Sequence, residues 1–196
     1  MQMRTQVAVV VVAIAWATSG CATDADPTDD ATSQRPVTAT PALSPTPSPT
    51  VDVTVPPVRP ESMATPSADG AAAAASYFIS LYPYVYATGD LTTWNELSAP
   101  DCVFCSSTRD GATTVQQKGG RVDGGSMTVD SANGTEIDAG NWYSATVIAT
   151  EAPSAEYDTT GALLDESLGG TYQFSMALTF VSGVWRIDAV DVGAVQ

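Results

Sequence analysis

The chain has 196 residues, with 22 acidic against seven basic side chains, no histidine and three cysteines. A formal net charge of −15 argues against nucleic acid as a partner, since phosphates require clustered Lys and Arg, and against holding an anionic membrane surface through basic residues. The missing histidine removes the commonest general base and the commonest transition-metal ligand, and no D-x-D-x-D-G calcium loop occurs, so neither a metal nor another cofactor is expected.

Residues 1–21 read as a lipoprotein signal peptide. "MQMR" sets Arg4 ahead of the apolar run "QVAVVVVAIAWA", which is shorter than the roughly 20 residues of a spanning helix. The run ends in "TSGC", with Ser19 and Gly20 before Cys21 and Thr18 where Leu is usual. This resembles the bacterial lipobox, which implies lipidation of Cys21 and anchoring on the extracytoplasmic face of the cell membrane. The alternative is an ordinary cleaved signal, and either one exports the chain. Residues 22–67 are rich in Pro, Thr, Ser and Ala and contain no aromatic residue. Such a segment buries too little apolar surface to offset its ordering entropy. It is expected to be a disordered, semi-stiff tether reaching on the order of 100 Å.

Residues 68–196 are expected to form one domain, helices first and strands after. Ala71, Ala74, Ala75, Phe78, Leu81, Tyr82 and Val85 follow helical spacing, with a kink predicted near Ile79–Tyr82 because Pro83 crowds the preceding turn. Gly89 suits the helix C-cap and Asp90 the N-cap of a short helix "LTTWNEL". A third helix is expected from Asp101 to about Lys118, stopped by Gly119-Gly120. Beyond Gly125 the apolar period becomes two. "SMTVDSANGTEI" and "WYSATVIATEA" read as strands. Asn133-Gly134 and "DAGN" at 138–141 compete for the turn between them. "DAGN" is preferred because it leaves strands of matched length. "AEYDTTGALLDE" reads as a hairpin turning near Thr160-Gly161. In "TYQFSMALTF", Tyr172, Phe174, Met176, Leu178 and Phe180 share one face, and Ser182-Gly183 turns the chain into a last strand, Val184–Val192. This order predicts an α+β fold, with the N-terminal helices packed on a curved antiparallel sheet.

Three sets of residues are candidates for function. Cys102 and Cys105 lie one helical turn apart on one face. With Cys21 assigned to lipid, an exported protein is expected to pair them, a staple worth about 2 kcal/mol by loop entropy. A redox role is the alternative, but Asp101 disfavours a neighbouring thiolate and no βαβ pattern surrounds the motif. A zinc site would need two further ligands. The aromatic residues could form either core or the wall of a pocket for a small apolar ligand. Core is favoured for most of them. Tyr77, Tyr84 and Tyr86 fall off the main stripe of the first helix and are the candidates for a ligand or partner surface. Among the acidic residues, Asp188 and Asp191 should face opposite sides of a regular strand. Glu96, Glu151, Asp165 and Glu166 show no partner and are expected to be solvated. No catalytic residue is assigned.

"YATGDLTTWNELSAPDCVFC", the pairs Gly119-Gly120 and Gly124-Gly125, and the final "GVWRI" together resemble a family of actinobacterial lipoproteins of unknown function with a Cys-x-x-Cys motif. The resemblance covers about residues 58–192. It implies a lipobox signal, a Pro/Thr-rich leader and one C-terminal domain with the nuclear-transport-factor-like, ketosteroid-isomerase-like cone fold. That fold group holds isomerases, cyclases and dehydratases beside non-catalytic binding and assembly domains, so fold does not transfer function. Its enzymes generally use an acid–base pair, often Asp with Tyr or His. This chain has no His, and no Asp aligns with a catalytic position. The leading expectation is a membrane-anchored, non-catalytic envelope module that binds a small apolar ligand or an envelope protein. The alternatives are an isomerase- or dehydratase-type enzyme using a pocket Asp and Tyr, and a thiol-redox protein.

Overall fold

The computed structural model describes residues 51–195; the signal segment, Cys21 and the tether up to residue 50 lie outside them. The first long element is helix α1, Ala68–Thr88, capped by Ser67, whose Oγ accepts from the Gly70 N–H at 3.1 Å. The helix runs on through Pro83 and ends at Gly89, which takes the left-handed conformation (φ 73°) and returns its N–H to the Val85 carbonyl. Phe78, Leu81 and Val85 are buried on either side of the proline, so packing holds the helix where its own hydrogen bonding is interrupted. Helix α2, Thr92–Leu97, starts one residue later than a cap at Asp90 would place it. Leu91 occupies the cap position, while Asp90 Oδ1 reaches past it to accept the Thr92 N–H at 3.0 Å. Helix α3, Val103–Gln117, starts two residues after the expected Asp101, because Cys102 is the capping residue. Its sulfur accepts from the Cys105 N–H at 3.2 Å.

Seven strands follow: β1 Arg121–Gly124, β2 Met127–Asp138, β3 Trp142–Glu151, β4 Ser154–Tyr157, β5 Leu163–Ser167, β6 Gly170–Val181 and β7 Val184–Ala194. They form a four-stranded antiparallel sheet, β2-β3-β6-β7, and a three-stranded one, β1-β4-β5. Strand β1 was not expected: four residues without apolar alternation carry no strand signal. The two sheets share one logic. Strand β1 leads into β2, β3 into β4 and β5 into β6, and all three junctions fall at the same level, where Met127 pairs with Glu151 and Glu151 with Gly170. The residues there are those that let a sheet turn a corner: Gly124, Gly125 and Gly169 with positive φ, and Pro153. The small sheet is thus the bent end of the large one.

The β2–β3 turn is "DAGN", with the Asn141 N–H on the Asp138 carbonyl at 3.0 Å and Gly140 at φ 69°. Asn133-Gly134 lies inside β2, opposite Thr146 and Ala145. A Cβ on Gly134 would land on the Ala68 carbonyl oxygen, so this glycine exists to let the start of α1 rest on β2 rather than to turn the chain. The β6–β7 turn is Ser182-Gly183, both with positive φ (55° and 82°), as a tight hairpin requires.

The core lies between α1 and the inner face of the large sheet, around Trp94, Trp185, Tyr143, Phe78 and Leu178. Tyr143 meets Trp185 edge-on at 4.9 Å. The folded region begins inside the stretch whose composition reads as tether. Glu61–Ala64 makes a 3-10 turn, Met63 is only 3% exposed, and its carbonyl accepts the Trp185 indole N–H at 2.8 Å. A buried indole needs such an acceptor. The architecture is the α+β arrangement expected from the sequence, helices against a curved antiparallel sheet.

Candidate functional site

Strand β3 builds the site. Tyr143, Ala145, Val147 and Ala149 alternate inward and are buried, and the next residue in phase is Glu151. Its carboxylate therefore enters at the corner between the two sheets, beside Gly125. From the helical layer, Tyr82 of α1 reaches the same place. Two cavities meet at this pair. One, of about 340 Å³, opens toward the small sheet and is bordered by four carboxylates, Glu151, Glu156, Asp165 and Glu166, with Tyr86 on the helical side. The other, of about 210 Å³, is apolar and lies between Ile79, Phe104, Met127, Tyr172, Phe174 and Val192. Tyr82 and Glu151 line both.

Aromatic rings run along this cavity. Tyr82 is 5.0 Å from Tyr86 and 6.2 Å from Phe104, and Phe104 meets Phe174 edge-on at 6.5 Å. Burial pushes the Tyr82 hydroxyl well above the usual tyrosine range, with the Tyr86 hydroxyl and the Glu151 carboxylate adding to the effect. Burial alone pushes Glu151 up, and no donor offsets it. Carboxylate and phenol thus face one cavity without the hydrogen bond that a proton-transfer pair would share. Among the described residues, no three of His, Cys, Asp and Glu converge as metal ligands would, the four carboxylates of the mouth included.

Cys102 and Cys105 form a disulfide, and both are buried, at 1% and 0% exposure. The staple fixes the α2–α3 connection against β7: the Ala99 N–H donates to the Ile187 carbonyl at 3.0 Å, and the Trp94 indole donates to the Cys105 carbonyl at 3.1 Å. Thiol exchange needs an accessible sulfur, which neither cysteine offers.

The three tyrosines singled out from the sequence part company. Tyr77 is 7% exposed and belongs to the core. The Tyr84 hydroxyl donates to Asp90 Oδ2 at 2.9 Å, tying the end of α1 to the α2 cap. Tyr86 borders the acidic cavity, and its hydroxyl rests over α3 where Gly111 leaves room. Sequence reasoning missed Tyr82, which shares the apolar spacing of α1 yet lines the cavity. It also placed Glu151 in solvent. The signal for Glu151 is a carboxylate on the inward phase of an apolar strand. Asp188 is a second half-buried carboxylate. It occupies a bulge where Ala177 pairs with Ala189 and Leu178 with Ile187. Its Oδ1 accepts from Thr179 Oγ1 at 3.4 Å, its Oδ2 is buried without a partner, and burial raises its pKa. It lies outside both cavities.

The profile of a family of unknown function (DUF6318) matches residues 46–191. No curated protein matches the chain. Among solved structures, the chain is similar to the intermembrane space region of the chloroplast protein ARC6, at 17% identity and a TM-score of 0.46, over 66% of this chain and 98% of that one. It is also similar to an uncharacterised protein with a cystatin-like fold from Caulobacter vibrioides, at 13% identity and a TM-score of 0.42, over 65% and 91% of the two chains. A third likeness is to Aln2 from a Streptomyces species, at 17% identity and a TM-score of 0.40, over 61% and 87%.

Proposed function

The chain belongs to the family of unknown function DUF6318, and from that premise we propose that it is an extracytoplasmic lipoprotein of the actinobacterial type whose domain binds a small apolar ligand without transforming it. Cys21 carries the lipid and the Pro/Thr-rich segment holds the domain away from the membrane. Support for the anchor is the run of Arg4, the apolar stretch and Ser19-Gly20-Cys21. The observation that carries the binding role is the apolar chamber beside Tyr82 and Glu151. Ile79, Phe104, Met127 and Phe174 line a concave apolar surface that the chain's own side chains leave unfilled, and small-molecule sites are concave and mostly apolar. An apolar cavity of about 150 Å³ already accepts a benzene ring, and this one, at about 210 Å³, exceeds that. Among the described residues, Tyr82 and Glu151 share no hydrogen bond at this site, which favours binding over catalysis.

Titration of the full chain with the neutral fluorophore N-phenyl-1-naphthylamine tests this reading. Saturable enhancement at one probe per chain is expected, together with its loss in Val192→Trp, which fills the chamber from an edge strand while the melting temperature stays close to that of the parent. Enhancement that survives Val192→Trp would overturn it. For the anchor, Cys21→Ala should move the protein from the membrane to the soluble fraction, and continued sedimentation with membranes would contradict lipidation.

A further inference from the structure

The two cavities differ in character, and their junction specifies a ligand class. The smaller cavity is walled by apolar and aromatic side chains apart from Glu151, so it takes an alkyl or single-ring group. The larger one is bordered by Glu151, Glu156, Asp165 and Glu166, and among the described residues neither Lys nor Arg borders either cavity. Arg121 on β1, next in sequence to Val122 of the cavity wall, is already committed. It pairs with Asp123 at 3.1 Å and its guanidinium lies 4.4 Å from the centre of the Tyr157 ring. We infer that the site takes an amphipathic organic cation, with its apolar part in the chamber walled by Phe104 and Phe174 and its positive head at the Tyr82–Glu151 junction.

This inference rests on the reading of the cavity as a ligand site and adds the charge of the ligand. Three independent features point the same way. Glu151 stands at the lip of an apolar chamber with no counter-charge, so an ionised carboxylate there is desolvated without compensation, and an incoming cation supplies what the protein withholds. Tyr82 lines both cavities, with Tyr86 bordering one and Tyr172 the other, so aromatic rings able to attract a cation lie on both sides of the junction. The field of a chain with net charge −15 draws cations toward a cleft and repels anions. A carboxylate ligand would meet four like charges at the mouth, and a neutral one would leave Glu151 as it is.

The test displaces N-phenyl-1-naphthylamine from the full chain with three probes sharing one tail: hexyltrimethylammonium, 1-hexanol and hexanoate. The cation is expected to displace at a concentration roughly tenfold lower than the alcohol, hexanoate should be the weakest, and the advantage of the cation should shrink in Glu151→Gln. If hexanol and the cation displace alike in the unmodified chain, the charge inference is overturned while the ligand site stands. If none of the three displaces the fluorophore, or the fluorophore itself fails to bind, both readings fall. A cation preference that persists undiminished in Glu151→Gln would also overturn the assigned role of the junction.

Discussion

Gly134→Ala is the substitution that most sharply tests how the helical layer sits on the sheet. The position is ordinary strand backbone, so alanine meets no conformational penalty there and would even gain about 0.5 kcal/mol over glycine. The cost is spatial. The new Cβ would fall on the Ala68 carbonyl oxygen, 2.8 Å from the Ala68 carbonyl carbon and 3.1 Å from the Ala72 nitrogen. All three are backbone atoms that cannot swing aside. Relief requires α1 and β2 to part by about 1 Å, which forfeits a quarter to a half of the dispersion energy at each contact between them. Set against the usual range for overpacking, the net loss is about 2 kcal/mol. At about 2.1 cal/mol/K of unfolding entropy per residue, ~0.3 kcal/mol/K over the described domain, that lowers Tm by about 7 °C. Gly193→Ala is the control, since it also lies in a strand but nothing stands within 4 Å of its added Cβ. It should leave Tm unchanged or raise it by about 2 °C. Differential scanning calorimetry of the two variants decides the matter. Equal melting temperatures would refute the seating of α1 on β2.

Removing the staple in Cys102→Ala/Cys105→Ala should cost about 2 kcal/mol by loop entropy, or about 7 °C in Tm; an unchanged Tm would mean that the α2–α3 connection is held without it. Trp185→Phe removes the donor to the Met63 carbonyl and should cost about 1 kcal/mol, with faster amide exchange confined first to Glu61–Ala64; protection there equal to that of the parent would count against docking through this bond. Burial raises the Asp188 pKa from its ordinary value of 3.8, so the native state binds the proton more tightly than the unfolded state. The stability of the parent therefore falls as pH rises through the interval between these two pKa values. Asp188→Asn should remove that descending limb, raising Tm at pH 7 and giving no gain below pH 3.8. A variant less stable than the parent at pH 7 would contradict the unpaired state of Oδ2.

Periodicity made most of the fold legible. The five inward residues of β6, the two tight turns and the order of helices before strands all follow from patterns within a dozen residues. What escaped depends on partners far along the chain. Asn133-Gly134 has the chemistry of a turn, and only the approach of Ala68 explains a glycine there. Strand β1 is too short to show a period, and its partner is β4. Met63 looked like part of a proline-rich tether until Trp185 supplied a donor for its carbonyl. Part of the site was nevertheless written in phase. Glu151 continues the inward series of β3. In β7 the inward phase passes from odd positions, the buried Trp185 and Ile187, to even ones, the half-buried Val190 and the more exposed Val192 at the cavity wall. Such a change of parity marks a bulge and so picks out Asp188. Tyr82 carried no such mark, because its spacing on α1 is that of a core residue, and only the corner between the two sheets leaves room beside it.

The central claim, that the chamber beside Tyr82 and Glu151 holds a small molecule, is tested most directly by native mass spectrometry of the full chain purified from its own cell envelope. The account predicts a released or retained small-molecule mass at one per chain, absent from the Val192→Trp variant purified in the same way. A bare chain for both proteins, or an identical adduct on both, would contradict it.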